Sequence, residues 1–587
     1  MFSFFTTSST TWVSLIFILP EFLISSLIVY SLLKLAHVYS NGSKECDFFV
    51  VQRFLYIVII CLYIIAWFYC ISFYFSKINF IYFSWTYQLN LSIISFKLGI
   101  IFTMIIIFLS ITTSSKSYLF DTPFLLLVIS LFLELLVSTT DLIVITMCLV
   151  GFSLAIYIFL GTGVSSDSYE ASIKYFYLSA LSISFILYGI FLLFATLKTI
   201  NLFFLQWYLT LVDMYNIGWL ESRTISILFY LAPVSSTPSL VFLLEEFYMG
   251  LASSNLMPFV QLHLALDLVF YIPSSVSIGI ICILIGFLFK LAVFPAYSWV
   301  PEVYEGSSYF IMAIFILPVK ICVLGSFIKF LYNFINDSVW FFIRPLLFCT
   351  AVGSLLVGLY AVHERYIKKF IAYSSINQMG FIMCGLACGS FDGLRAALLF
   401  LFIYVVTNIG LFLFFLTTVD RKKNSLTYMT DFLFLNTDLQ VSIPIVVFCF
   451  SLAGVPPLAG FFSKFFILLE VFKLGFSYYW VIVVALITSL LSAFYYLRII
   501  KSIWFYATPA SEVKVAFWDI GFVWMAPPKK IKTKDCTTFI MYDGIFPGFY
   551  YHLCTGIIIF FFLFFPIVTN FLDFQTSLMV CNLLYIF

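Results

Sequence analysis

The stretch GFLFKLAVFPAYSWVPEVYEG, residues 286–306, combines an apolar run with a lysine and a proline. About 20 apolar residues suffice to cross a bilayer as a helix. Lys290 lies inside the run, where a charged amine costs about 3 kcal/mol on insertion scales and normally faces the bundle interior. Pro295 removes an amide hydrogen and clashes with the preceding turn. The stretch therefore predicts a broken membrane helix that carries a buried lysine.

Runs of similar length recur along all 587 residues, of which 63% are hydrophobic and 10% charged. Because backbone amides find no water in lipid, such runs must be helical. The sequence therefore predicts an all-α polytopic membrane protein with about fourteen transmembrane helices. The predicted spans are 11–33, 50–75, 88–112, 118–139, 141–162, 171–197, 275–299, 309–333, 340–362, 369–391, 394–417, 440–472, 476–505 and 553–573.

Two blocks of five spans share one irregularity. Spans four to eight cover 118–333 and spans nine to thirteen cover 340–505, and the fourth helix of each contains a break. The breaks are Phe294-Pro295-Ala296 and GVPPLAG at 454–460. Interrupted helices at matching positions of two halves indicate a transport site. An odd number of helices per block makes the two repeats inverted in the membrane.

The spans divide the chain into four regions. The predicted regions are 1–117 (helices one to three), 118–333 (first repeat, with a loop insertion at 198–274), 340–505 (second repeat) and 506–587 (an inside loop and the last helix). The two loop segments either cover partner subunits or lipid head groups, or are tolerated surface expansions.

Basic residues are distributed unevenly between the two sides. Of 29 lysines and arginines, 17 lie in or beside odd-numbered connections and 7 in or beside even-numbered ones. The positive-inside rule then places both termini outside.

The first basic residue is Lys34, so the start lacks the basic region of a signal or transit peptide. These features favour an organelle-encoded or bacterial inner-membrane protein.

No residue pattern points to a bound cofactor. The thirteen cysteines are scattered without a C-x-x-C pair, and Cys384 and Cys388 alone do not make a metal site. The four histidines lie at predicted helix ends or in connections, which does not suit paired haem ligands. We expect no cofactor, no metal and no nucleic-acid partner in this chain.

Lysines at membrane depth are the candidate functional residues. Burial disfavours the charged amine, so a neighbouring acid or admitted water can switch its protonation. Lys290, Lys320 and Lys464 lie too deep to reach the interface, since a lysine stem spans about one helical turn. Lys174 could either face the bundle or reach the interface. Lys97 is expected to extend to the interface.

Several motifs carry a resemblance to a known family. They are Pro20-Glu21, YEASIKYFYLSA at 169–180, the opening stretch, KKFIAYSSINQMGF at 368–381 and SLAGVPPLAGFFSKF at 451–465. Together they resemble subunit 2 of respiratory complex I, NADH:ubiquinone oxidoreductase chain 2, over nearly the whole chain apart from the two insertions. GVPPLAGFFSK also occurs in the sister subunits and in cation/proton antiporters, whereas EASIKY and PEVYEG favour subunit 2.

The resemblance implies an antiporter-like subunit in which two half-channels meet at a row of buried lysines. These membrane lysines fall on Lys174, Lys290, Lys320 and Lys464. Such a subunit moves protons, coupled to NADH:ubiquinone oxidoreduction elsewhere in the complex, and holds no redox active site itself. Its implied partners are other membrane-arm subunits, including sister antiporter-like ones, and membrane lipids, including anionic ones. The implied location is the mitochondrial inner membrane.

Three positions depart from the family. A fifth-helix glutamate that pairs with the sixth-helix lysine aligns with Val150, while histidines expected in two motifs are Tyr297 and Gln378. Glu134 lies sixteen residues before Val150. We expect a substitute acid for Lys174, either Glu134 or a residue of a neighbouring subunit.

Two other functions remain open on the residues alone. A free-standing cation/proton antiporter needs no redox partner, and the subunit-2 motifs count against it. A structural subunit that has lost pumping would account for the missing glutamate, because an unpaired buried lysine is costly.

Overall fold

A computed structural model gives the architecture of the chain. It describes residues 19–40, 80–82, 87–89, 91–113, 122–163, 165–202, 204–206, 274–333, 337–420, 426–432, 439–456, 458–504, 539–541 and 545–561, and single positions within 60–66 and 565–573. Most of both predicted insertions, most of the second predicted span and Pro457 lie outside the described residues.

The described chain is almost entirely helical. The first helices are α1 (Leu19–Ser40), α2 (Leu91–Thr113), α3 (Thr122–Ser138), α4 (Leu142–Gly161), α5 (Ser166–Leu197), α6 (Ser274–Leu291), α7 (Trp299–Gly306) and α8 (Tyr309–Ile314). The later ones are α9 (Lys320–Asn333), α10 (Asp337–Gly358), α11 (Ile367–Ala387), α12 (Phe391–Thr417), α13 (Leu439–Ala453), α14 (Ala459–Lys473), α15 (Tyr479–Trp504) and α16 (Ile545–Ile559).

Short irregular elements join these helices. A π-helical turn, Phe315–Val319, connects α8 to α9, and 3-10 turns occupy Leu359–Val362 and Phe476–Tyr478. Two antiparallel pairs join β1 (Phe80–Tyr82) to β2 (Tyr87–Leu89) and β3 (Thr418–Asp420) to β4 (Phe539–Met541).

Both predicted helix breaks are present. Helix α6 ends at Leu291 and helical structure resumes at Trp299, so the backbone around Pro295 is not continuous α-helix. Helix α13 ends at Ala453 and α14 begins at Ala459, on either side of Pro456. The prediction of unwound backbone at both places is confirmed.

In each predicted five-helix block, a basic side chain joins the first helix to the last. In the first block, Lys329 of α9 donates to the carbonyl of Val137 at 2.6 Å, near the end of α3. In the second block, Arg498 of α15 donates to the carbonyl of Val362 at 2.7 Å, just after α10. A cation at a helix C-terminus satisfies carbonyls that lack an intrahelical partner. In both cases a cation from the last helix binds carbonyls near the C-terminal end of the first.

Small residues allow α5 and α6 to approach each other closely. A Cβ added at Gly189 of α5 would lie 2.6 Å from the carbonyl oxygen of Gly279 in α6. Such small-residue contacts are typical of helix pairs in membranes, where backbones pack closely. This contact holds α6, and with it Lys290, against α5.

The core and the outer faces differ sharply in burial. The candidate span Tyr309–Tyr332 is fully buried at the centre of the bundle. Only a third of the spans that contain α5 and α15 is buried, and these helices expose large apolar side chains such as Phe191 and Leu490. Apolar faces of this size suit contact with lipid or neighbouring subunits.

The fold class is confirmed as an all-α polytopic membrane protein. Eight helices among the described residues are long and apolar enough to cross a membrane, and four shorter apolar helices accompany them. The count of fourteen spans and the four-region division stay predictions.

Candidate functional site

Lys464 lies beside the second helix break and hydrogen-bonds to carbonyls at that break. Its Nζ donates to the carbonyls of Leu452 at 3.0 Å and Ala453 at 2.9 Å, the last residues of α13. The side chain is 6% exposed. The α13 C-terminus carries partial negative charge and orphan carbonyls, so it stabilises a buried ammonium. Gly454, at φ 83°, lets the chain turn here, and a Cβ would lie 3.2 Å from the Lys464 amine.

Lys290 lies beside the first break but does not contact it. The side chain is 8% exposed, and its amine has no hydrogen-bond partner among the described residues. It lies over the rings of Phe152 at 5.5 Å and Tyr175 at 6.0 Å. Aromatic faces attract a cation more weakly than a carboxylate does. The amine is therefore buried without a counter-ion in the described part of the chain.

Lys320 follows the π-helical turn between α8 and α9. Its amine donates to the Tyr404 hydroxyl at 3.2 Å, and the side chain is 3% exposed. Pro318 lies within the turn, whose irregular hydrogen bonding is common at functional sites in helices. Three of the four membrane lysines thus lie buried beside an interruption of helical hydrogen bonding.

Lys174 is the exception. Its side chain is 40% exposed and forms ion pairs with Glu170 at 2.6 Å and Glu302 at 2.7 Å. Lys174 therefore pairs with acids of this chain other than Glu134, so the prediction of Glu134 was wrong, while an acid from a neighbouring subunit stays a prediction. Glu302 belongs to the PEVYEG motif on α7, which packs against α5. Tertiary packing supplies Glu302, while Glu170 lies one turn before Lys174 on α5 itself.

Buried tyrosines lie between Lys290 and Lys320. The ring of Tyr175 faces the Lys290 amine, and the hydroxyl of Tyr404 accepts from Lys320. Tyr304 lies between them, 1% exposed and in electrostatic contact with both tyrosines. Sequence reasoning missed these residues as a group, although Tyr175 directly follows Lys174 and Tyr304 lies in PEVYEG.

Two polar side chains of the second predicted block contact groups other than the membrane lysines in the described part of the chain. The Ser463 hydroxyl donates to the Gly460 carbonyl of its own helix at 2.9 Å, and Tyr373 packs against Tyr360 with 5.9 Å between ring centroids. Gln378, at an expected histidine position, donates through Nε2 to the Leu452 carbonyl at 3.3 Å. It therefore shares an acceptor with Lys464 and lies within that site.

Lys97 is buried, contrary to the expectation that it reaches the interface. It is 2% exposed and forms an ion pair with Glu21 of α1. Glu134 of α3 is fully buried within electrostatic range of both residues. A buried pair is kept only where each charge finds a partner. The sequence signal was Pro20-Glu21, but nothing local showed that Glu21 would meet Lys97.

Carboxyls in matching turns of the two blocks titrate outside the membrane spans. Partial burial raises the pKa of Asp141, before α4, and a hydrogen bond from Asn201 at 2.7 Å partly offsets the change. Partial burial also raises the pKa of Glu364, before α11, against the opposing charge of Lys369. Both turns therefore hold a carboxyl that ionises at higher pH than usual.

The described residues contain no group of three or more histidine, cysteine, aspartate or glutamate side chains arranged to hold a metal ion. The buried lysines and tyrosines provide amines and phenols, and these groups suit proton transfer within an apolar core.

Comparisons with known proteins agree on one family. Residues 202–492 match the family described as "NADH:quinone oxidoreductase/Mrp antiporter, TM". NADH-quinone oxidoreductase subunit N of Pelagibacter ubique is 31% identical over 397 residues, covering 66% of this chain and 70% of that protein. NADH-ubiquinone oxidoreductase chain 2 of Marchantia polymorpha is 35% identical over 243 residues, covering 41% of this chain and 48% of that protein.

Solved structures share the fold. Respiratory complex I from Thermus thermophilus contains a chain with a TM-score of 0.63 and 18% identity, covering 94% of this chain and 98% of that one. The Mrp complex from Dietzia sp. contains a chain with a TM-score of 0.64 and 15% identity, covering 95% and 97%. At these identities the likeness concerns the fold.

Proposed function

We propose, because this chain belongs to the family of NADH-quinone oxidoreductase subunit N and NADH-ubiquinone oxidoreductase chain 2, that it moves protons across the membrane through its row of buried lysines. It is an antiporter-like membrane-arm subunit of the complex I family. The driving force is NADH:ubiquinone oxidoreduction in other subunits, and this chain contributes the membrane path.

One observation carries the proposal. Lys290, Lys320 and Lys464 are each buried in the apolar core, and each lies beside a break or a π-helical turn. A buried lysine is costly in a membrane protein and is kept where its charge has a use. Interrupted helices supply backbone groups that regular helices lack.

The three lysine sites differ in how they would bind a proton. Lys464 holds an ammonium against two carbonyls, whereas Lys290 offers an amine without a counter-ion in the described part of the chain. Tyr175, Tyr304 and Tyr404 supply hydroxyls between Lys290 and Lys320. Moving one charge through 100 mV takes about 2.3 kcal/mol, so transfer must be gated rather than pass through an open pore.

Lys174 completes the proposed row as its exposed end. Its ion pairs with Glu170 and Glu302 lie at the surface of α5 and α7. Surface ion pairs contribute little stability, because solvent screens the two charges. We assign this triad to proton entry or to contact with an adjacent subunit.

The location and the partners of the chain complete the proposal. We propose the mitochondrial inner membrane, with both termini on the intermembrane-space side, and contacts with sister antiporter-like subunits and anionic lipids. The distribution of basic residues supports the orientation.

The test is the number of protons moved per electron in membrane vesicles that contain the assembled complex. Lys464→Met and Lys290→Met should each lower this ratio strongly while NADH oxidation and assembly persist. Lys473→Met is a matched control, because Lys473 lies on the same helix as Lys464 but is exposed. Unchanged ratios in both variants would refute the proposal.

A free-standing cation/proton antiporter is the second candidate, since the chain shares its fold with a chain of the Mrp complex and matches a family named for both protein classes. Native electrophoresis of solubilised membranes separates the two. Migration with a large NADH-oxidising assembly supports the first function, and migration without one supports the antiporter.

A further inference from the structure

Outside the lysine row, the first half of the bundle buries a second group of charges. Glu21 of α1 pairs with Lys97 of α2, and Glu134 of α3 lies beside them. None of the three is more than 4% exposed. The site therefore joins three helices in the buried interior of the bundle.

Glu134 is the unusual member of the group. Both carboxyl oxygens are buried and neither has a hydrogen-bond partner among the described residues. An ionised carboxylate in that state would cost several kcal/mol, so such groups take up a proton instead. Lys97 is already engaged with Glu21, which leaves one amine for two carboxyls.

We propose that Glu21, Lys97 and Glu134 form a second proton-binding site in the membrane interior, whose exchangeable proton resides on the Glu134 carboxyl. In the loaded state, protonated Glu134 lies beside the Glu21–Lys97 ion pair and the group carries no net charge. In the empty state, the Glu134 O–H bond has broken, its proton has passed to a water molecule, and Lys97 is shared between two carboxylates.

The surroundings favour this exchange. Tyr63 donates to Ser130 next to Glu134 on α3, and lies within electrostatic range of its carboxyl. Cys322 of α9 donates to the carbonyl of Leu133 at 2.8 Å. Lys329 of α9 is bound to carbonyls at the end of α3. Among the described residues, the other charged and titratable side chains that face Glu134 are therefore one phenol, one thiol and a more distant amine.

Helix α9 links the site to the lysine row. Cys322 and Lys320 are two residues apart, which places them about 200° apart around the helix. Cys322 faces α3 while Lys320 faces Tyr404 of α12. The proposed site thus lies across α9 from Lys320. Its existence does not depend on the proposed function, whereas the use of its proton in transport does.

Infrared difference spectroscopy of the assembled complex during a pH titration tests the site. The wild type should show the deuterium-sensitive carbonyl band of a protonated carboxyl, and Glu134→Gln should lose it. Lys97→Met should gain a second band, because Glu21 loses its counter-ion. Glu470→Gln is the matched control, since Glu470 is also buried but accepts from Lys473 at 2.6 Å.

The outcomes separate this site from the lysine row. A Glu134→Gln spectrum identical to the wild type at every pH overturns the proposal. If that variant fails to assemble, Glu134→Asp should shift the band, and an unshifted band overturns the proposal equally. Should Lys464→Met and Lys290→Met keep the full proton ratio, the proposed function fails while the band still reports on the site.

Discussion

Lys464 and Lys290 occupy matching places in two halves of the bundle, beside matching helix breaks, yet their amines meet different surroundings. The Lys464 amine binds two carbonyls at its break. The Lys290 amine lies among aromatic rings with no hydrogen bond in the described part of the chain. The difference follows from which side of the break each lysine is on.

Side chains on a helix lean toward its N-terminus. Lys464 is on α14, after its break, so it leans back toward the break and reaches the C-terminal carbonyls of α13. Lys290 is on α6, before its break, so it leans away from the carbonyls that end α6. Trp299 takes one of those carbonyls instead, donating from Nε1 to Phe289 at 3.1 Å.

Similar breaks therefore produce two kinds of site. The second half stabilises a protonated lysine with the helix terminus, and the first half leaves its lysine ready to respond to an added charge or water. The predictions below test this contrast.

The largest effect is expected where the second break packs most tightly. A Cβ at Gly460 would lie 1.8 Å from the Ser451 carbonyl oxygen, so Gly460→Ala must separate α14 from α13. We expect a cost of about 3 kcal/mol or more and loss of the assembled complex, measured by native electrophoresis. Gly556→Ala, with nothing within 4 Å of the added Cβ, should assemble normally. Equal assembly of both variants would contradict this packing.

Replacing each lysine by methionine should change stability in opposite directions. Lys464→Met removes hydrogen bonds to two carbonyls and should destabilise by about 1–3 kcal/mol. Lys290→Met removes a buried amine without a partner and should stabilise by about 1 kcal/mol or be neutral. The thermal midpoint of the purified complex measures both. Shifts of the same sign and size would show that the two sites are equivalent after all.

The Lys320 site should respond much as the Lys464 site does, because its amine also has a hydrogen-bond partner. Tyr404→Phe keeps the ring that lies 5.5 Å from the amine but removes the hydroxyl that accepts at 3.2 Å. Loss of this bond should cost about 1.5–3 kcal/mol if the amine is charged and lower the proton ratio. Tyr309→Phe is a control, because its hydroxyl binds the Leu426 carbonyl and not a membrane lysine. An unaltered proton ratio for Tyr404→Phe would remove this hydroxyl from the path.

The smallest effect concerns the matching turns. Burial raises the folded-state pKa of both Asp141 and Glu364, so the folded state binds more protons than the unfolded state. The contribution of these two carboxyls to folding stability is present at low pH. It is lost as the pH rises from the ordinary carboxyl pKa through the raised value. Glu364→Gln and Asp141→Asn should each flatten this fall in the denaturation midpoint. If neither variant alters the fall of the denaturation midpoint with pH, other titrating groups cause that fall.

Much of the lysine row could be predicted from sequence because depth and proline position are local properties. Lys290, Lys320 and Lys464 were placed in the core by their distance from the ends of apolar runs, and all three are buried. Lys97 was misassigned because its distance from the ends of its apolar run carries no information about Glu21, which lies 76 positions earlier on another helix. The partner of Lys174 was misassigned for the same reason.

Sequence alone determined that this is a helical membrane protein, where two of its helices break and that Lys290, Lys320 and Lys464 lie deep, since each follows from composition and spacing along one segment. Only the tertiary structure decided the partners: Glu302 for Lys174, Glu21 for Lys97, Tyr404 for Lys320, and two carbonyls for Lys464. The physical reason is that a partner across helices depends on the rotation and depth of both helices. Those are set by packing of the whole bundle, as at Gly189 and Gly279, and not by the residues of either segment.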